Sequence, residues 1–417
     1  MVARSLFSSR NVGVNCLACS IVVALMAAPR SVAENAAPAA PPPALRDALL
    51  WYEGCETVAG ANADKGVKIS GVTAVDGKIG KALLFERPYA NRVANPDVAS
   101  LDGWIAVGAP QLCKDGGRFS PGCVRITEAD YLRQVVTDLR AQQQDWYCLS
   151  VYAKSDAAGT KLELRVDREI AKEFPLTTEY ARLVLPFQAR HENSTVTVRV
   201  VGPGAAVVDA VQLEEQRSFP STFCPSPRRP TQRIDVAVSE RTLNVTEGSI
   251  AFWMLPPWIR EEGTSQALFF WGDIDNPGVE HLAMAAYPHG MTTEHDWYNR
   301  ILLSRTRARR HDGFNAKSFD LCNWEPGAWH HVVATWTVAS GEALSQIAVY
   351  FDGRLTQTKE GPWGEVKAPK SFIFGYWWGS YADAVLDEIC VFRRALSAEE
   401  VEWLAKLQAP LAPAAAR

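Results

Sequence analysis

The sequence predicts an all-β protein built of two antiparallel β-sandwiches, with one short C-terminal helix. Short runs rich in β-branched and aromatic residues recur along the chain, and Gly, Pro, Asn or Asp separates each run from the next, a pattern typical of antiparallel strands. Helical periodicity follows residue 397 and is otherwise found only at residues 128–139. A chain of 417 residues with 47% hydrophobic and 22% charged residues is long enough for two cores.

The N-terminal residues differ from the rest of the chain. Two arginines precede an apolar run at residues 12–28, and residues 31–33 (SVA) form a small-x-small cleavage sequence. This pattern predicts a secretory signal peptide at residues 1–33, and therefore a secreted protein, extracellular or periplasmic. An uncleaved anchor is the alternative, but Asn15 interrupts the apolar run, which is also shorter than the ~20 residues that a span needs.

The regions next to the ends of the predicted mature chain are rich in Ala and Pro. Residues 34–46 are predicted to be a semi-rigid linker, and residues 409–417 a disordered tail. The net charge of -4 argues against nucleic acid as the main partner.

Nine cysteines are present, and two of them, Cys16 and Cys19, lie in the predicted signal peptide. The remaining seven are an odd number, so at least one is a free thiol or joins another chain. Cys113 and Cys123 flank a Gly/Pro-rich loop and are the pair expected to form a disulfide. No Cys-x-x-Cys spacing indicates a zinc site or a redox motif.

The strand pattern is clearest at residues 329–353. Residues 329–336 and 347–351 are two apolar runs, and Asp352-Gly353 closes the second run with a turn. The phrases WHHVVATW, VYFDGR and LDEICVFRRALSAEEV resemble the laminin-G-like group of the concanavalin A-like lectin/glucanase superfamily. The resemblance implies a β-sandwich, but lectins, adhesion modules and glycan-cleaving enzymes share that scaffold.

The opening strands of the same domain are expected at residues 49–53 and 71–86, where GKIGKALLF resembles a family phrase. In that family a strand with an FWM-x-P-like phrase follows soon afterwards. Here it comes only at residues 249–256, and the interval is far longer than an ordinary loop. The interval is therefore expected to hold a domain.

Several alternating runs inside this interval predict strands, at residues 91–104, 146–155, 161–167, 180–187, 195–201 and 206–215. The phrases YCLSVYAKS and VVDAVQLEE…FPSTF resemble a galactose-binding-like jelly roll of the carbohydrate-binding-module type. We therefore interpret residues 88–227 as a jelly roll inserted into a second sandwich, formed by residues 47–87 and 228–408. Two tandem domains are the alternative, but strand 386–392 would then lack its edge partner.

Further strands are expected in the second half of the chain. They are predicted at residues 267–271, 281–287, 300–303, 317–321, 372–377 and 385–392. Residues 397–400 (SAEE) form a capping box that opens the terminal helix.

Catalytic patterns are weak. Hydrolases of the resembled superfamily place acids in a Glu-x-Asp-x-x-Glu pattern, which is missing; the nearest phrases contain Asp273 with Asp275 and Asp387 with Glu388. We interpret the first as a turn with Asx-type hydrogen bonds and the second as structural. His295, Tyr298, Arg300 and the arginines that follow form a set that could bind or cleave an anionic glycan, but a solvated hairpin face explains an arginine run more simply.

Aromatic residues favour binding instead, because flat rings stack on sugars. The candidate ligand-binding residues lie in two segments: His295, Trp297, Tyr298 and Arg300 in one, and Tyr376, Trp377, Trp378 and Tyr381 in the other. Plain packing is the alternative for these aromatic residues. Trp253, Trp329 and Trp336 lie on predicted strands and are expected in the core.

Calcium is a possible cofactor of both domains. The jelly-roll resemblance implies a structural calcium held by Asp209 and by an acid near the first strand, here Asp97. In the outer sandwich Asp273 and Asp275 offer hard oxygen ligands. No other cofactor is predicted.

The sequence thus predicts a secreted, non-catalytic protein that binds carbohydrate or acts in adhesion, with a glycan or a cell-surface protein as its partner. A polysaccharide-active hydrolase or lyase is the first alternative. A structural protein-interaction module is the second.

Overall fold

The structure is a computed structural model that describes part of the chain. The described residues are 42–56, 63–89, 91–141, 145–256, 265–275, 281–287, 300–306, 314–317, 327–340, 343–363, 366–377 and 379–411. The predicted signal peptide and the candidate residues His295, Trp297, Tyr298 and Trp378 lie outside the described residues.

The described residues form an all-β fold with two short α-helices, α1 (Pro43–Ala48) and α2 (Ala398–Ala405). The strands are β1 (Leu49–Glu53), β2 (Val67–Ser70), β3 (Thr73–Asp76), β4 (Lys81–Phe85), β5 (Ile105–Val107), β6 (Gln111–Cys113), β7 (Cys123–Thr127), β8 (Tyr131–Val136), β9 (Trp146–Lys154), β10 (Lys161–Val166), β11 (Ile170–Pro175), β12 (Ala181–Gln188), β13 (Ser194–Val201), β14 (Ala205–Glu215), β15 (Arg233–Val236), β16 (Glu247–Leu255), β17 (Gln266–Gly272), β18 (His281–Tyr287), β19 (Arg300–Thr306), β20 (Phe314–Lys317), β21 (His330–Thr337), β22 (Ser345–Phe351), β23 (Arg354–Gly361), β24 (Ser371–Phe374), β25 (Tyr376–Trp377), β26 (Ser380–Tyr381) and β27 (Ala384–Phe392).

Two sheets combine strands from the beginning and the end of the chain. The larger has the order β23-β22-β21-β16-β27-β4-β3, with β1 also paired to β27, and the other has the order β2-β15-β24-β17-β18-β19-β20. β16 lies along one edge of β27, and β4 and β1 follow each other along its other edge. Large buried side chains of both sheets, among them Trp51, Phe85, Phe252, Trp336 and Phe374, form one core.

A second pair of sheets is built only from strands β5 to β14. Their orders are β11-β10-β13-β8-β5 and β12-β9-β14-β7-β6, and alternate residues of both sheets form a separate core. Tyr89 and Arg228 form an isolated bridge, and the Arg229 N–H donates to the Pro88 carbonyl over 2.9 Å. The chain therefore enters and leaves this pair of sheets side by side. The proposed domain boundaries themselves stay a prediction.

The terminal helix begins as the capping box predicts. The Ser397 side chain accepts the Glu400 N–H, and the Glu400 side chain accepts the Ser397 N–H. Val401 and Leu404 are buried with Leu45 of α1 in an apolar cluster that also holds side chains of β16 and β27, so both helices pack on the larger sheet. Among the described helices, none combines the length and apolar character that crossing a membrane requires.

Some predicted elements differ from the structure. Residues 128–139 do not form a helix: the Asp130 carboxylate accepts hydrogen bonds from Thr127 and Ala109 and holds a turn, and β8 follows with alternate burial. Residues 91–104 form turns, because the Gln134 side chain bonds the backbone of Ala94 and Gly103. The strand predicted at 372–377 is divided at Gly375.

Candidate functional site

A small hairpin, β25–β26, carries three of the predicted aromatic residues. Tyr376 pairs with Tyr381, and Trp377 pairs with Ser380. Gly375 ends β24 with a φ of +83°, and its N–H donates to the Leu268 carbonyl over 3.1 Å. This left-handed conformation suits glycine, and it turns the chain so that the hairpin folds back over β17.

Trp377 attaches the hairpin to the sheet. Its half-buried ring stacks on Phe270 at 5.8 Å with an interplanar angle of 15°, and it lies 5.1 Å from the ring of His281. The Ser265 and Ser380 hydroxyls lie 2.8 Å apart beside it. One face of Trp377 is therefore used for packing, which is the alternative that the sequence left open for the loop aromatic residues.

Three tyrosines form a continuous line of rings, which we call the tyrosine row (Tyr376, Tyr381 and Tyr89). The ring centroids of Tyr376 and Tyr381 are 5.3 Å apart, and those of Tyr381 and Tyr89 are 6.4 Å apart at 82°. All three side chains are half-buried, and within the described part of the chain their hydroxyls have no hydrogen-bond partner. The row thus offers ring surface and three unpaired hydroxyls to a ligand.

An arginine lies at each end of the tyrosine row. The Arg228 guanidinium is 5.3 Å from the ring of Tyr89, and that of Arg233 is 6.0 Å from the ring of Tyr376. Arg233 also pairs with Asp235 over 2.9 Å. Burial raises the pKa of Tyr381, the neighbouring tyrosines Tyr376 and Tyr89 raise it further, and Arg228 lowers it. The phenol therefore stays protonated and can donate a hydrogen bond.

A cavity of about 280 Å³ shares Tyr89 with the tyrosine row. Three segments line it: the one that enters the second pair of sheets, the end of β14, and the one that leaves these sheets. The lining residues are Tyr89, Asn91, Arg92, Leu213, Glu215, Pro227 and Arg228. The Arg92 Nε donates to Glu215 Oε2 over 3.0 Å. The cavity and the tyrosine row together form the candidate site.

The structure brings together only part of the predicted ligand-binding set. Tyr376, Trp377 and Tyr381 share the hairpin, whereas Arg300 opens β19 opposite Tyr287, two strands away from β17. Sequence reasoning missed Tyr89 and Arg228. Both lie at the boundaries of the predicted insertion. Because the two ends of an inserted domain lie close together, this position was the only sequence signal for a contact between Tyr89 and Arg228.

One arginine of the run after residue 300 does not lie on a solvated face. Arg305 is 1% exposed, donates to the carbonyls of His281 and Trp363, and lies 4.8 Å from the ring of Trp363. The prediction of a solvated hairpin face is therefore wrong for Arg305.

Two of the four predicted calcium ligands, Asp209 and Asp273, already have other partners. Fully buried Asp209 accepts the backbone N–H groups of Arg118, Phe119 and Ala210. Burial raises the pKa of Asp209; the three backbone N–H groups lower it, and half-buried Asp97 raises it. These three N–H groups use three of the about four acceptor sites of the carboxylate, so Oδ1 keeps one site for an ion, and the calcium site stays a prediction.

The second predicted calcium site is a turn. Asp273 accepts the Asp275 N–H over 3.2 Å and pairs with Lys370 over 2.6 Å, which agrees with the Asx-type interpretation. A different group, Asp167, Glu169 and His191, places its ligand atoms within 4.8 Å of one another in exposed turns of the second pair of sheets. Nothing further at these turns indicates an ion.

Cys113 and Cys123 lie directly opposite each other in the β6–β7 register. Both are free thiols in the structure. Burial, and to a smaller extent the neighbouring Cys113, raise the pKa of Cys123 to about 11. The disulfide stays a prediction.

Asp387 and Glu388 are buried residues within β27. Asp387 accepts the Ile79 N–H over 3.0 Å, and Glu388 accepts the Tyr52 hydroxyl over 2.7 Å. Burial raises their pKa values to about 7 and about 8. Their contacts are those of structural groups.

A comparison with protein families finds a match in the second half of the chain. Residues 231–402 match a family model described as the concanavalin A-like lectin/glucanases superfamily. This segment is similar to that superfamily. The match does not include strands β1–β4, although these strands belong to the same two sheets as the strands of the matched segment. No curated protein matches the chain.

Solved structures resemble the chain only distantly. Domain 4 of AbnA, a GH43 extracellular arabinanase from Geobacillus stearothermophilus in complex with arabinotriose, is 19% identical over 42% of this chain and 73% of that chain, with a TM-score of 0.31. The CBM40 of the Ruminococcus gnavus IT-sialidase is 13% identical over 39% and 84%, with a TM-score of 0.30. The botulinum neurotoxin serotype D binding domain is 15% identical over 42% and 41%, with a TM-score of 0.32. The chain thus spans less than half of that toxin domain.

Proposed function

We propose that this protein binds carbohydrate without cleaving it, and that the tyrosine row is the binding surface. The observation that carries the proposal is the row itself, with its half-buried rings and unpaired hydroxyls. Flat rings accept the apolar face of a sugar, while hydroxyl groups form hydrogen bonds with sugar hydroxyls.

The surroundings of the row support this proposal. Trp377 holds the hairpin on β17 through Phe270, so the rings of Tyr376 and Tyr381 keep their positions without a ligand. A preformed surface loses little conformational freedom when a ligand binds. The two arginines at its ends add donors for sugar oxygens.

The wider proposal keeps the predictions that concern the whole chain. We propose a secreted protein in which residues 88–227 are an inserted galactose-binding-like domain, with calcium as an optional structural ion. A cell-surface protein is the alternative partner, and a polysaccharide-active enzyme remains the alternative activity.

The test is binding of the purified protein to an array of polysaccharides, with calcium and again with a chelator. Retention on one glycan class, weakened about tenfold or more by Tyr381→Ala, supports the proposal, since truncating a central aromatic anchor typically costs about 2 kcal/mol or more and tenfold corresponds to about 1.4 kcal/mol. Tyr131→Ala is the matched control, because Tyr131 is a half-buried tyrosine on β8. Absence of binding by the folded protein would overturn the proposal and direct attention to protein partners.

A further inference from the structure

The cavity at the end of the tyrosine row has room for one sugar unit. Its volume of about 280 Å³ is just below the range of about 300–1,000 Å³ found for pockets of drug-sized ligands. It opens where the chain passes between the two pairs of sheets, so a ligand lying on the tyrosine row reaches it at Tyr89.

The floor of the cavity is fixed by Asn91. The Asn91 Nδ2 donates to the carbonyls of Val211 (3.1 Å) and Cys224 (3.4 Å), and its Oδ1 accepts the N–H groups of Val93 and Leu213 at 3.0 Å. Asn91 is 6% exposed. Because its amide is already satisfied, Asn91 shapes the cavity and leaves recognition to other groups.

The charges of the lining do not cancel. Arg92 and Glu215 neutralise each other as an ion pair. Arg228 is exposed, and among the described residues no carboxylate lies within ion-pairing distance of it. The next residue, Arg229, forms an ion pair with Glu86, with 3.0 Å between Nη1 and Oε2. One positive charge therefore remains at the mouth of the cavity.

We propose that this cavity takes an anionic sugar unit, a uronic acid or a sulfated sugar, whose anionic group pairs with Arg228 while the rest of the oligosaccharide lies along the tyrosine row. This inference rests on the proposed function, since it names the ligand class of the same site. The planar guanidinium matches the geometry of a carboxylate or a sulfate and binds either through two N–H groups.

The position of Arg228 favours this role. Its guanidinium lies 5.3 Å from the ring of Tyr89, which restricts its motion and keeps the charge beside the cavity. The backbone bridge between Tyr89 and Arg228 joins the two residues directly. An anion bound there meets a held guanidinium and an unpaired phenol hydroxyl together.

The test compares three oligosaccharides by titration calorimetry with the full chain: a uronic-acid type (oligogalacturonate), a sulfated type (carrageenan oligosaccharide) and a neutral type (galactan oligosaccharide). We expect one anionic probe or both to bind about tenfold or more tightly than the neutral one, because hydrogen bonds to charged groups are the stronger class. We also expect binding to weaken with added salt. The anionic probe that binds more tightly shows whether the site recognises a carboxylate or a sulfate.

Arg228→Gln is expected to weaken the anionic probe about tenfold or more and the neutral probe by a clearly smaller factor, because Gln keeps an N–H donor for sugar oxygens but carries no charge. Arg354→Gln, at another exposed arginine, is the control and should change neither. Thermal unfolding of both variants shows that the fold is retained.

The possible failures are distinguishable. Equal binding of neutral and anionic probes, or an equal loss of both in Arg228→Gln, would overturn the anionic assignment and leave the proposed carbohydrate binding in place. Binding of no probe, together with silence on the polysaccharide array, would overturn both.

Discussion

The Asp383 carboxylate lies 3.1 Å from Nη2 of Arg217, and the side chains of both residues are almost completely buried. Arg217 follows β14, whereas Asp383 precedes β27, so the pair joins the two pairs of sheets. Arg87 approaches Asp383 to 3.7 Å, and Glu214 approaches Arg217 to 3.5 Å. These charged groups are within ion-pairing distance, but the Asp383 oxygens form no aligned hydrogen bond within the described residues. Burial raises the pKa of Asp383, although the two arginines lower it.

Arg217→Met is expected to lower the free energy of unfolding by about 3–5 kcal/mol, because it leaves buried carboxylates without their main counter-charge. Urea denaturation followed by tryptophan fluorescence measures the change. Arg354→Met, at an exposed arginine, should stay within about 0.5 kcal/mol of the unsubstituted protein. A loss of under about 1 kcal/mol for Arg217→Met would show that the network adds little to stability.

The contribution of Glu388 to stability is expected to fall as pH rises from about 4.5 to about 8, because burial raises the pKa of Glu388 from 4.5 to about 8. In this window the unfolded chain releases the proton while the folded chain keeps it, so deprotonation favours unfolding. Glu388→Gln keeps an acceptor for Tyr52 and removes the titration. It should therefore stabilise the protein at pH 8 by on the order of 3 kcal/mol and leave it almost unchanged at pH 4.

The measurement for Glu388 is the difference between the variant and the unsubstituted protein in thermal unfolding across this pH range. The difference is needed because burial lowers the pKa of His331 to about 4, and that group destabilises the fold as pH falls below about 6.5. Glu179→Gln, at an exposed carboxyl, is the control. A constant difference between pH 4 and 8 contradicts the assignment.

Gly375→Ala is expected to displace the β25–β26 hairpin. An added Cβ would lie 2.5 Å from the ring of Phe85 at a φ of +83°. Gly379 also has a positive φ, but open space surrounds it, so Gly379→Ala carries only the backbone strain of about 1–2 kcal/mol. Gly375→Ala should lower the melting temperature further and also weaken glycan binding. Equal effects of the two substitutions on both readouts would rule out the steric explanation.

Oxidation is expected to link Cys113 to Cys123. Residues directly opposite in an antiparallel pair have Cα atoms about 4.5–5.5 Å apart, which suits a disulfide. The link should stabilise the protein by roughly 2–3 kcal/mol, and peptide mapping by mass spectrometry identifies it. Cys224→Ser is the control, because Cys224 is the other half-buried cysteine among the described ones and its loss should not prevent the link. A Cys113–Cys224 peptide would contradict the prediction.

Most strands were predictable because local patterns determine them. The run at residues 329–336 and the DG turn at Asp352-Gly353 correspond to β21 and the end of β22. Ser397 and Glu400 form the predicted capping box. In each case the residues that form the element are close in sequence, so alternation or capping chemistry is sufficient.

The exceptions depend on distant residues. Residues 128–139 begin with acidic residues that are typical of a helix start, yet Asp130 binds Ala109 and forms a turn. Tyr89 and Tyr381 are in contact although more than two thirds of the chain lies between them, and no local pattern indicates such a contact. The candidate site was therefore only half predictable: the hairpin aromatics were accessible to sequence reasoning, whereas Tyr89, Arg228 and the cavity were not.

The position of β27 between β16 and the strands β4 and β1 has a consequence for the order of folding. β1 and β4 are synthesised before strands β5 to β26, and their partner β27 is synthesised after them, so pairing has to close a very long loop. The sheets built from β5 to β14 need no later strand and can form first. During synthesis, the apolar residues of β1 and β4 therefore remain without β27 until that strand emerges.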